Sequence, residues 1–456
     1  MPRCPWYALR KTLVVSLAML LAILGGCGDT ALETTPPTVT AATPEGGAIG
    51  VDSSSGISVT FSERMNKGSA EAAFSSVPAL PAGSFTWTGN TLTFTPGTGL
   101  GESTEYAVTV GTGATDLAGN PLASAYTVRW RTGLPYTVID LQSDFAVPTS
   151  NGGVTPSADG RYLFWYDGTN GEGSGCDIHL YRVGTSDLLS RTIWTNRSIW
   201  GIHDDGGNTW VGNYYPYEGS RIPDSNPLNF VVRSMSLGHT IALNGNRSDF
   251  PYVYFGTSSG GGIGYWNRSD NTTGMISGSG AWVYQSAVVG DRVYFPRGYV
   301  SSPGIMVVDA AANPTVLEGT LLPGESRIAG ASEIISDNVY LYVVNSTTNE
   351  IHKVDPAGSG SIVDTLSPGV LFTNPVALGN FIYSGVNGDN NVYILDTATG
   401  NTVKKDCSSY LPTAVGSPKW DSYNDGIWFG PQQTVLTDVR KAYFIPRRII
   451  DALPAS

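Results

Sequence analysis

Apolar and polar residues alternate along residues 37–133, in short runs separated by Gly, Pro and Asn. Successive side chains of a β-strand point to opposite faces, so this period of two predicts strands with one buried face. About 100 residues of such strands and turns are typical of a small β-sandwich. The apolar members of these runs are Ile57, Val59 and Phe61; Phe85 and Trp87; Leu92 and Phe94; Tyr106, Val108 and Val110; and Tyr126, Val128 and Trp130.

The same region carries four motifs in a definite order, at residues 44–47 (PEGG), 57–65 (ISVTFSERM), 92–96 (LTFTP) and 116–120 (DLAGN). Their order and spacing resemble the S-layer-type bacterial Ig-like domain. The resemblance implies an Ig-like sandwich that acts as a spacer or an adhesion module. Two interpretations stay open for Asp116: a calcium ligand, or the capping residue of a turn in which Gly119 or Asn120 takes a positive φ. We favour the turn.

Residues 134–456 repeat one pattern, in which a Gly, Asp or Asn turn precedes a short aromatic and β-branched strand. The spacings between equivalent positions are 47, 44, 40, 46, 43 and 45 residues. A period of about 44 residues with strands in each copy is typical of propeller blades of four strands. The equivalent positions are Leu163, Trp210, Tyr254, Tyr294, Tyr340, Tyr383 and Trp428.

These copies predict an all-β protein: an Ig-like β-sandwich followed by a seven-bladed β-propeller, with six or eight blades as alternatives. The copies also resemble surface-layer YVTN-type and quinoprotein-type propeller repeats. A closed ring protects sheet edges that a linear array would expose. We expect residues 136–141 to close it by pairing with the last blade.

The N-terminal segment shows a second kind of pattern. An apolar run at residues 12–24 follows the basic residues Arg3, Arg10 and Lys11. This order predicts an exported signal segment, residues 1–26, because the run is too short to span a bilayer comfortably. The run ends in Leu24-Gly25-Gly26-Cys27, which resembles the lipobox of bacterial lipoproteins. The resemblance implies that Cys27 carries lipid and that residues 27–36 form a tether. It also implies attachment to the outer membrane or cell surface.

Charge and composition restrict the partners. The chain has 456 residues and a formal net charge of −12, and 56 glycines and 23 tyrosines suit short strands joined by turns. Removal of the signal segment leaves 23 basic and 38 acidic residues, a net charge of −15. This charge repels phosphate backbones, so we expect no nucleic acid partner.

Two cysteines remain in the mature chain besides Cys27. Cys176 and Cys407 form a disulfide in one interpretation, because an exported chain meets oxidising conditions. Two free or buried thiols are the alternative. No Cys-x-x-Cys pair occurs, which excludes a zinc site built from cysteines.

Catalytic and cofactor motifs are absent from the sequence. The four histidines show no close metal-ligand spacing, and no nucleophile elbow, P-loop or dinucleotide fingerprint occurs. The run His203-Asp204-Asp205 is interpreted as a solvated loop. We therefore expect no cofactor, no metal site and no assigned catalytic residue.

Aromatic residues supply the candidate binding site: Trp210, Tyr214, Tyr215 and Tyr217, of which the three tyrosines are expected in a loop. Rings on a rim stack on sugars or on a partner protein, whereas packing between blades is the alternative role. The first hypothesis is a lipid-anchored, non-catalytic module that presents the propeller to an envelope protein or glycan. The alternative is a propeller enzyme, a hydrolase or lyase, that acts on polysaccharide through carboxylates near the channel. A third option is envelope assembly by strand pairing.

Overall fold

The computed structural model describes residues 33–140, 153–157, 160, 162–166, 178–183, 187–190, 198–215, 217–223, 229–235, 240–243, 247–257, 261–386, 389–411, 415–431 and 441–455. The chain divides into two compact units. Within the described residues, the first comprises 33–48, Ser54–Leu100 and Glu105–Trp130. The second comprises Ile49–Ser53, Gly101–Thr104 and Arg131–Ser456.

The first unit holds two antiparallel sheets, of four strands in the order β1-β2-β5-β4 and of three in the order β3-β6-β7. The predicted alternation is realised, because Ile57, Val59 and Phe61 are buried while Ser58 and Thr60 between them are not. The strands are β1 (Val39–Thr43), β2 (Ile57–Phe61), β3 (Phe74–Val77), β4 (Gly83–Thr88), β5 (Thr91–Pro96), β6 (Glu105–Val110) and β7 (Tyr126–Arg131).

A short helix, α1 (Lys67–Ala72), lies between β2 and β3. Asn66 caps it, since its side-chain oxygen accepts the Ser69 backbone N–H at 3.3 Å. Ala70 packs in one apolar cluster with Val59, Phe61 and Leu92. The helix thus covers the buried face of the strands, and the sequence pattern did not predict it.

The second unit contains, within its described residues, seven four-stranded antiparallel sheets. Each of the first six is built from four consecutive strands, and we number the sheets 1 to 7 in chain order. Sheets 1 to 3 are β9 (Gly153–Pro156), β10 (Tyr162–Tyr166), β11 (Ile178–Arg182) and β12 (Asp187–Ser190); β13 (Ser198–Asp204), β14 (Asn208–Tyr215), β15 (Glu218–Pro223) and β16 (Val231–Ser234); and β17 (Thr240–Ala242), β18 (Tyr252–Thr257), β19 (Gly264–Asn267) and β20 (Thr273–Met275).

Sheets 4 to 6 continue the same order, and a 3₁₀ turn, Ser326–Ile328, precedes sheet 5. Their strands are β21 (Ala287–Val289), β22 (Arg292–Arg297), β23 (Gly304–Asp309) and β24 (Gly319–Leu321); β25 (Ala331–Ser336), β26 (Leu341–Asn345), β27 (Glu350–Asp355) and β28 (Ser361–Leu366); and β29 (Thr373–Leu378), β30 (Phe381–Gly385), β31 (Asn391–Asp396) and β32 (Thr402–Asp406).

Sheet 7 combines strands from both ends of the unit: β33 (Val415–Asp421), β34 (Gly426–Pro431), β35 (Lys441–Pro446) and β8 (Thr137–Asp140). Ala442 of β35 lies opposite Ile139 of β8, and Tyr443 lies opposite Val138. This is the pairing that the sequence predicts for residues 136–141. Helix α2 (Arg447–Ala452) follows β35 directly.

The second strands of the sheets are buried on both faces. In β26, Leu341 and Val343 pack toward sheet 4, whereas Tyr342 and Val344 pack toward sheet 6. Alternate side chains point to opposite faces, so a sheet between two neighbours needs a nearly continuous apolar strand. This accounts for the aromatic and β-branched repeats in the sequence.

Apolar clusters join each sheet to the next one along the chain, from sheet 1 to sheet 7. A further cluster contains Val154 and Leu163 of sheet 1 with Trp428 and Phe444 of sheet 7. Sheet 1 therefore packs on both sheet 2 and sheet 7.

A turn with one carboxylate recurs between the first and second strands of sheets 2, 5 and 7. Asp421 accepts the backbone N–H groups of Tyr423 and Asn424 at 3.0 Å and the indole N–H of Trp428 at 2.9 Å. Asp205 binds Trp210 in the same way, and Asp337 accepts the Tyr342 hydroxyl. The aspartate thus holds the turn and fixes a buried ring at once, five residues further along the chain in sheets 2 and 5 and seven in sheet 7.

Candidate functional site

The first strands of the sheets converge on a cavity of about 590 Å³ in the second unit. Six sheets contribute a residue of their first strand to the lining, and sheet 3 contributes Arg247 from the connection after β17. One lining residue from each of the six is Thr155, Ile202, Val288, Ile335, Val376 and Lys419. Ligand sites of proteins commonly have volumes of about 300–1,000 Å³.

Four polar side chains form one group beside the cavity, which we call the polar cluster: Gln285, just before β21, Glu333 of β25, Asn374 of β29 and Lys419 of β33. Lys419 Nζ donates to Asn374 Oδ1 at 2.7 Å. Asn374 and Lys419 line the cavity, as do Ser286 and Ile334, the chain neighbours of the other two members. The cluster therefore joins four sheets at one place.

Burial sets the protonation chemistry of the cluster. It raises the pKa of Glu333 to about 7, while hydrogen bonding from Asn374 and Gln285 and the charge of Lys419 act to lower it. Burial lowers the pKa of Lys419, and the charge of Glu333 opposes that shift. Both shifts move the pair toward its uncharged forms.

Two oxygens of the polar cluster are buried without a hydrogen-bond partner in the structure: Glu333 Oε2 and Gln285 Oε1. Gln285 is only 8% exposed, and Glu333 is half-buried as a residue. A buried acceptor without a donor is costly, by about 1–3 kcal/mol for a neutral group. Neither Gln285 nor Glu333 is a lining residue of the cavity, so both oxygens are enclosed by protein.

Trp420 gives the cavity an aromatic wall beside Lys419. The ring is half-buried, and its centroid lies 5.7 Å from that of Tyr383. The site thus combines a flat apolar surface with donors and acceptors.

A pair of facing carboxylates, which the enzyme alternative requires, is not found among the described lining residues. Asp204 is the one carboxylate there. Its side chain accepts the Gly206 N–H at 2.9 Å and the Thr209 hydroxyl at 2.8 Å. These hydrogen bonds give Asp204 a role in the turn after β13.

The run His203-Asp204-Asp205 differs from the predicted loop, since β13 includes the first two residues. Asp205 accepts the backbone N–H groups of Gly207 at 3.1 Å and Asn208 at 3.0 Å. It also forms an ion pair of 2.7 Å with Arg268. Its position in the recurrent turn accounts for this carboxylate.

The predicted aromatic binding site requires a correction at Trp210. Its side chain is 0% exposed and packs with Val253, Phe255 and Trp266 of sheet 3. A ring enclosed between two sheets is not available to a partner. The alternative role, packing between sheets, is the one that the structure gives to Trp210.

The tyrosines of this candidate site occupy different positions. Tyr214 and Tyr215 belong to β14 rather than to a loop, and the structure describes their backbone only. Tyr217 is 36% exposed and has a φ of 55° at the turn before β15. Surface binding by these three tyrosines stays a prediction.

An exposed aromatic pair that the sequence pattern did not reveal lies in two loops of sheet 4, one before β21 and one after β22. Trp282 is 42% exposed and Tyr299 is 39% exposed, with ring centroids 5.9 Å apart. Tyr284 contacts Tyr299 edge-on. These positions are remote in sequence from each other, so no local pattern grouped them.

Cys407 is a buried free thiol. Burial raises its pKa to about 12, so the thiol stays protonated near neutral pH. Its possible partner Cys176 lies outside the described residues, as does the lipidation candidate Cys27.

In the first unit, Asp116 forms the capping turn that we favoured. It accepts the Asn120 backbone N–H and the Asn120 Nδ2, each at 2.8 Å, and Gly119 has a φ of 96°. Side-chain oxygens of Glu33, Glu63 and Asp116 lie within 4.8 Å of one another. Since Asn120 also donates to Glu33, hydrogen bonds within the turn account for this acidic group.

Comparison with known proteins supports the Ig-like part of the description. Residues 33–132 match the family model of a bacterial Ig-like domain. No curated protein matches the chain. No helix among the described residues is long and apolar enough to cross a membrane.

Solved structures that resemble the chain align with most of their own length. Virginiamycin B lyase from Staphylococcus aureus is 13% identical, with a TM-score of 0.49 over 68% of this chain and 98% of that chain. YCF48 bound to D1 peptide is 12% identical, with a TM-score of 0.47 over 69% and 97%. The Cps50 (Swd1) β-propeller domain of Myceliophteria thermophila is 10% identical, with a TM-score of 0.44 over 65% and 96%.

The chain is thus an all-β protein with a bacterial Ig-like domain, and its structural neighbours include β-propellers.

Proposed function

We propose that this protein is a lipid-anchored, non-catalytic binding or scaffolding module of the bacterial cell envelope. In this proposal residues 134–456 form a closed, seven-bladed β-propeller presented to a protein or glycan partner. The Ig-like domain is the spacer, at residues 37–133 by the sequence pattern.

The order of the apolar clusters carries the proposal. Each of the seven sheets shares a cluster with the next, and Ile139, Val154 and Trp428 belong to the cluster between the seventh and the first. That order supports a ring in which every sheet has two neighbours, and β8 protects the last strand by pairing with β35. Such rings present loops and a central cavity as rigid surfaces.

The absence of a facing carboxylate pair among the described lining residues favours binding over polysaccharide cleavage. Assays for new reducing ends and for unsaturated sugar products, with envelope polysaccharide as substrate, test this point. We expect neither product, and catalytic release of either one would contradict a non-catalytic role.

Capture from solubilised envelopes tests the partner. Tagged full-length protein is used as bait, and excess untagged protein is the competitor. We expect a protein or glycan that is recovered by the bait and depleted by the competitor. If nothing recovered is depleted by the competitor, the binding proposal fails.

Lipid attachment rests on the run that ends at Cys27 and is tested by labelled palmitate. We expect label on the wild-type protein and no label on Cys27→Ala. That variant should also be released from membranes, because two or more acyl chains supply the energy of membrane binding. The variant Cys407→Ala is the matched control and should keep its label. An unlabelled wild-type protein would remove the basis for the proposed location.

A further inference from the structure

We propose that Lys419 and Asn374 join spontaneously through an isopeptide bond, which links the first strands of sheets 6 and 7 covalently. The bond forms between Lys419 Nζ and Asn374 Cγ, and ammonia is released. This inference concerns the covalent structure of the chain itself, so it depends neither on the proposed lipid anchor nor on the proposed partner.

The contact between the two side chains is the first argument. Lys419 Nζ lies 2.7 Å from Asn374 Oδ1, although the two residues are 45 positions apart in the chain. A carbonyl bond is about 1.23 Å long, so Asn374 Cγ lies within about 3.9 Å of the amine nitrogen. Reacting atoms in a near-attack arrangement are about 3–3.5 Å apart. A small rotation of either side chain therefore brings the amine onto the amide carbon.

The backbone is irregular on both sides of this contact. The pairing of β29 with β30 shifts register between Thr373 and Val376. The pairing of β33 with β34 shifts register between Gly416 and Lys419. Asn374 has a φ of 47°, in the left-handed region that favours glycine and asparagine. Such irregularities redirect side chains, and here an amine and an amide from two sheets meet.

Glu333 of β25 supplies the acid that this reaction needs. Strands β25 and β29 pack together, since Ile335 and Ala377 belong to one apolar cluster. The Glu333 carboxyl interacts with the Asn374 backbone N–H and with the charge of Lys419. Its Oε2 is buried and has no hydrogen-bond partner in the structure. A carboxyl enclosed in this way exchanges its proton with neighbouring protein groups.

Burial favours the forms of both groups that can react. It lowers the pKa of Lys419, which favours the neutral amine, and the neutral amine is the nucleophile. It raises the pKa of Glu333 to about 7, so a large share of this carboxyl is protonated near neutral pH. A hydrogen bond between a lysine and an amide at a solvated surface meets neither condition.

The reaction balances without a further reagent. The Lys419 amine attacks Asn374 Cγ while Glu333 donates its proton to Asn374 Oδ1. The Glu333 carboxylate then takes a proton from Lys419 Nζ and passes it to Asn374 Nδ2. The Cγ–Nδ2 bond breaks, ammonia leaves, and the proton on Oδ1 returns to Glu333. Both reacting residues line the cavity, which gives ammonia a way out.

The crosslink fastens sheet 7, which contains strands from both ends of the second unit, to sheet 6. It closes a loop between residues 374 and 419 and so restricts the unfolded chain, as a disulfide of the same span does. An amide bond, unlike a disulfide, is not broken by reductants. The expected gain is therefore stability that does not depend on the redox conditions.

Tryptic mapping of the full-length wild-type protein tests the bond directly. Trypsin does not cleave after an acylated lysine, so the crosslink joins residues 354–404 to residues 406–440 in one branched product. We expect this product, with the summed mass of the two peptides less one ammonia. Recovery of separate peptides 354–404 and 406–419, with no branched product, would show that the proposal is wrong.

Substitution of the reacting residues removes the bond. Lys419→Arg keeps the charge but lacks the amine, and Asn374→Gly lacks the amide and accepts the positive φ. Neither should give the branched product, and each should melt about 5–10 °C below the wild-type protein. Asn338→Gly is the matched control, because Asn338 also lines the cavity and has a φ of 68°. The control should keep the branched product.

Glu333→Gln separates the reaction from the contact. Glutamine has the size of glutamate but cannot carry the proton, so the crosslink should form at least about a hundredfold more slowly. Mapping at increasing times after synthesis measures this rate. Formation at the wild-type rate would overturn the role of Glu333. If a variant does not fold, the wild-type map alone still decides whether the bond exists.

Discussion

Asp421 shows how one carboxylate can hold a turn and a core ring together. It is 1% exposed and accepts hydrogen bonds from two backbone N–H groups and from the side chains of Asn424 and Trp428. The pKa of Asp421 is raised above its usual value because burial outweighs the lowering effect of these hydrogen bonds. Similar turns form around Asp205 and Asp337, so part of the repeat pattern arises from these turns and not only from the apolar core.

Asp421→Ala should lower the free energy of unfolding by about 2–4 kcal/mol, because four donors lose their acceptor and three of them are buried. Asp396→Ala is the control: that carboxylate accepts the Ala398 and Thr399 N–H groups in an exposed turn and binds no indole. The control should cost about 0.5–1 kcal/mol. Denaturant titration gives both values, and equal losses would argue against a special role for the Trp428 contact.

Cys407 should resist alkylation in the native protein. Its pKa is raised to about 12 by burial, so at pH 8 the reactive thiolate is scarce and also enclosed. Iodoacetamide followed by peptide mass spectrometry should find Cys407 unmodified in buffer and modified in denaturant without reductant. A requirement for reductant would instead show the disulfide with Cys176.

Close approach of neighbouring elements depends on particular glycines. A Cβ on Gly298 would lie 2.4 Å from the Ala331 backbone nitrogen and 2.5 Å from its oxygen, at the start of β25. Gly319, in β24, has no atom within 4 Å of the corresponding position. The loop after β22 therefore needs glycine to lie against sheet 5.

Gly298→Ala should destabilise the second unit by about 1–3 kcal/mol through this overlap with backbone atoms. Gly319→Ala should change stability by less than about 0.5 kcal/mol. Denaturant midpoints followed by tryptophan fluorescence measure both. A neutral Gly298→Ala variant would show that the loop moves away from β25 without cost.

Strand β8 offers a direct test of the pairing between the two ends of the unit. Ile139 is 3% exposed and packs between sheets 7 and 1, while Val138, on the opposite face, is 42% exposed. Ile139→Ala should cost about 2–5 kcal/mol and Val138→Ala less than about 1 kcal/mol. We also expect faster amide exchange in β35 for Ile139→Ala alone. Similar effects of both substitutions would contradict the register of β8 against β35.

Much of the element pattern was predictable because it is local. The runs around Ile57 and Tyr106 alternate with a period of two, and both became strands. Helix α1 was missed because its six residues are fewer than two turns, too short for a helical period to show. Tyr214 and Tyr215 were placed in a loop because polar and aromatic neighbours hid the end of β14.

On the scale of the whole molecule, the arrangement of sheets turns scattered residues into a site. Asn374 and Lys419 are far apart in the chain, yet the first strands of sheets 6 and 7 bring them to one wall of the cavity. A single polar residue inside a strand has no local signature, so no reading of one segment could select these positions. In the proposed function, lipid at Cys27 attaches one end of the chain to the membrane, and the ring at the other end presents the binding surface.

Local sequence patterns were enough to predict the strand-rich class, the repeat of about 44 residues, the Ig-like segment and the expected lipid anchor. These features depend on residues that are close in the chain, because alternation sets the buried face of a strand and turn residues set where it ends. Packing in three dimensions was needed to show that Trp210 is enclosed between sheets and that Glu333 and Gln285 lie beside Lys419 and Asn374. Burial and proximity between distant strands arise from packing of whole sheets, because the face that each strand buries depends on its neighbours in space.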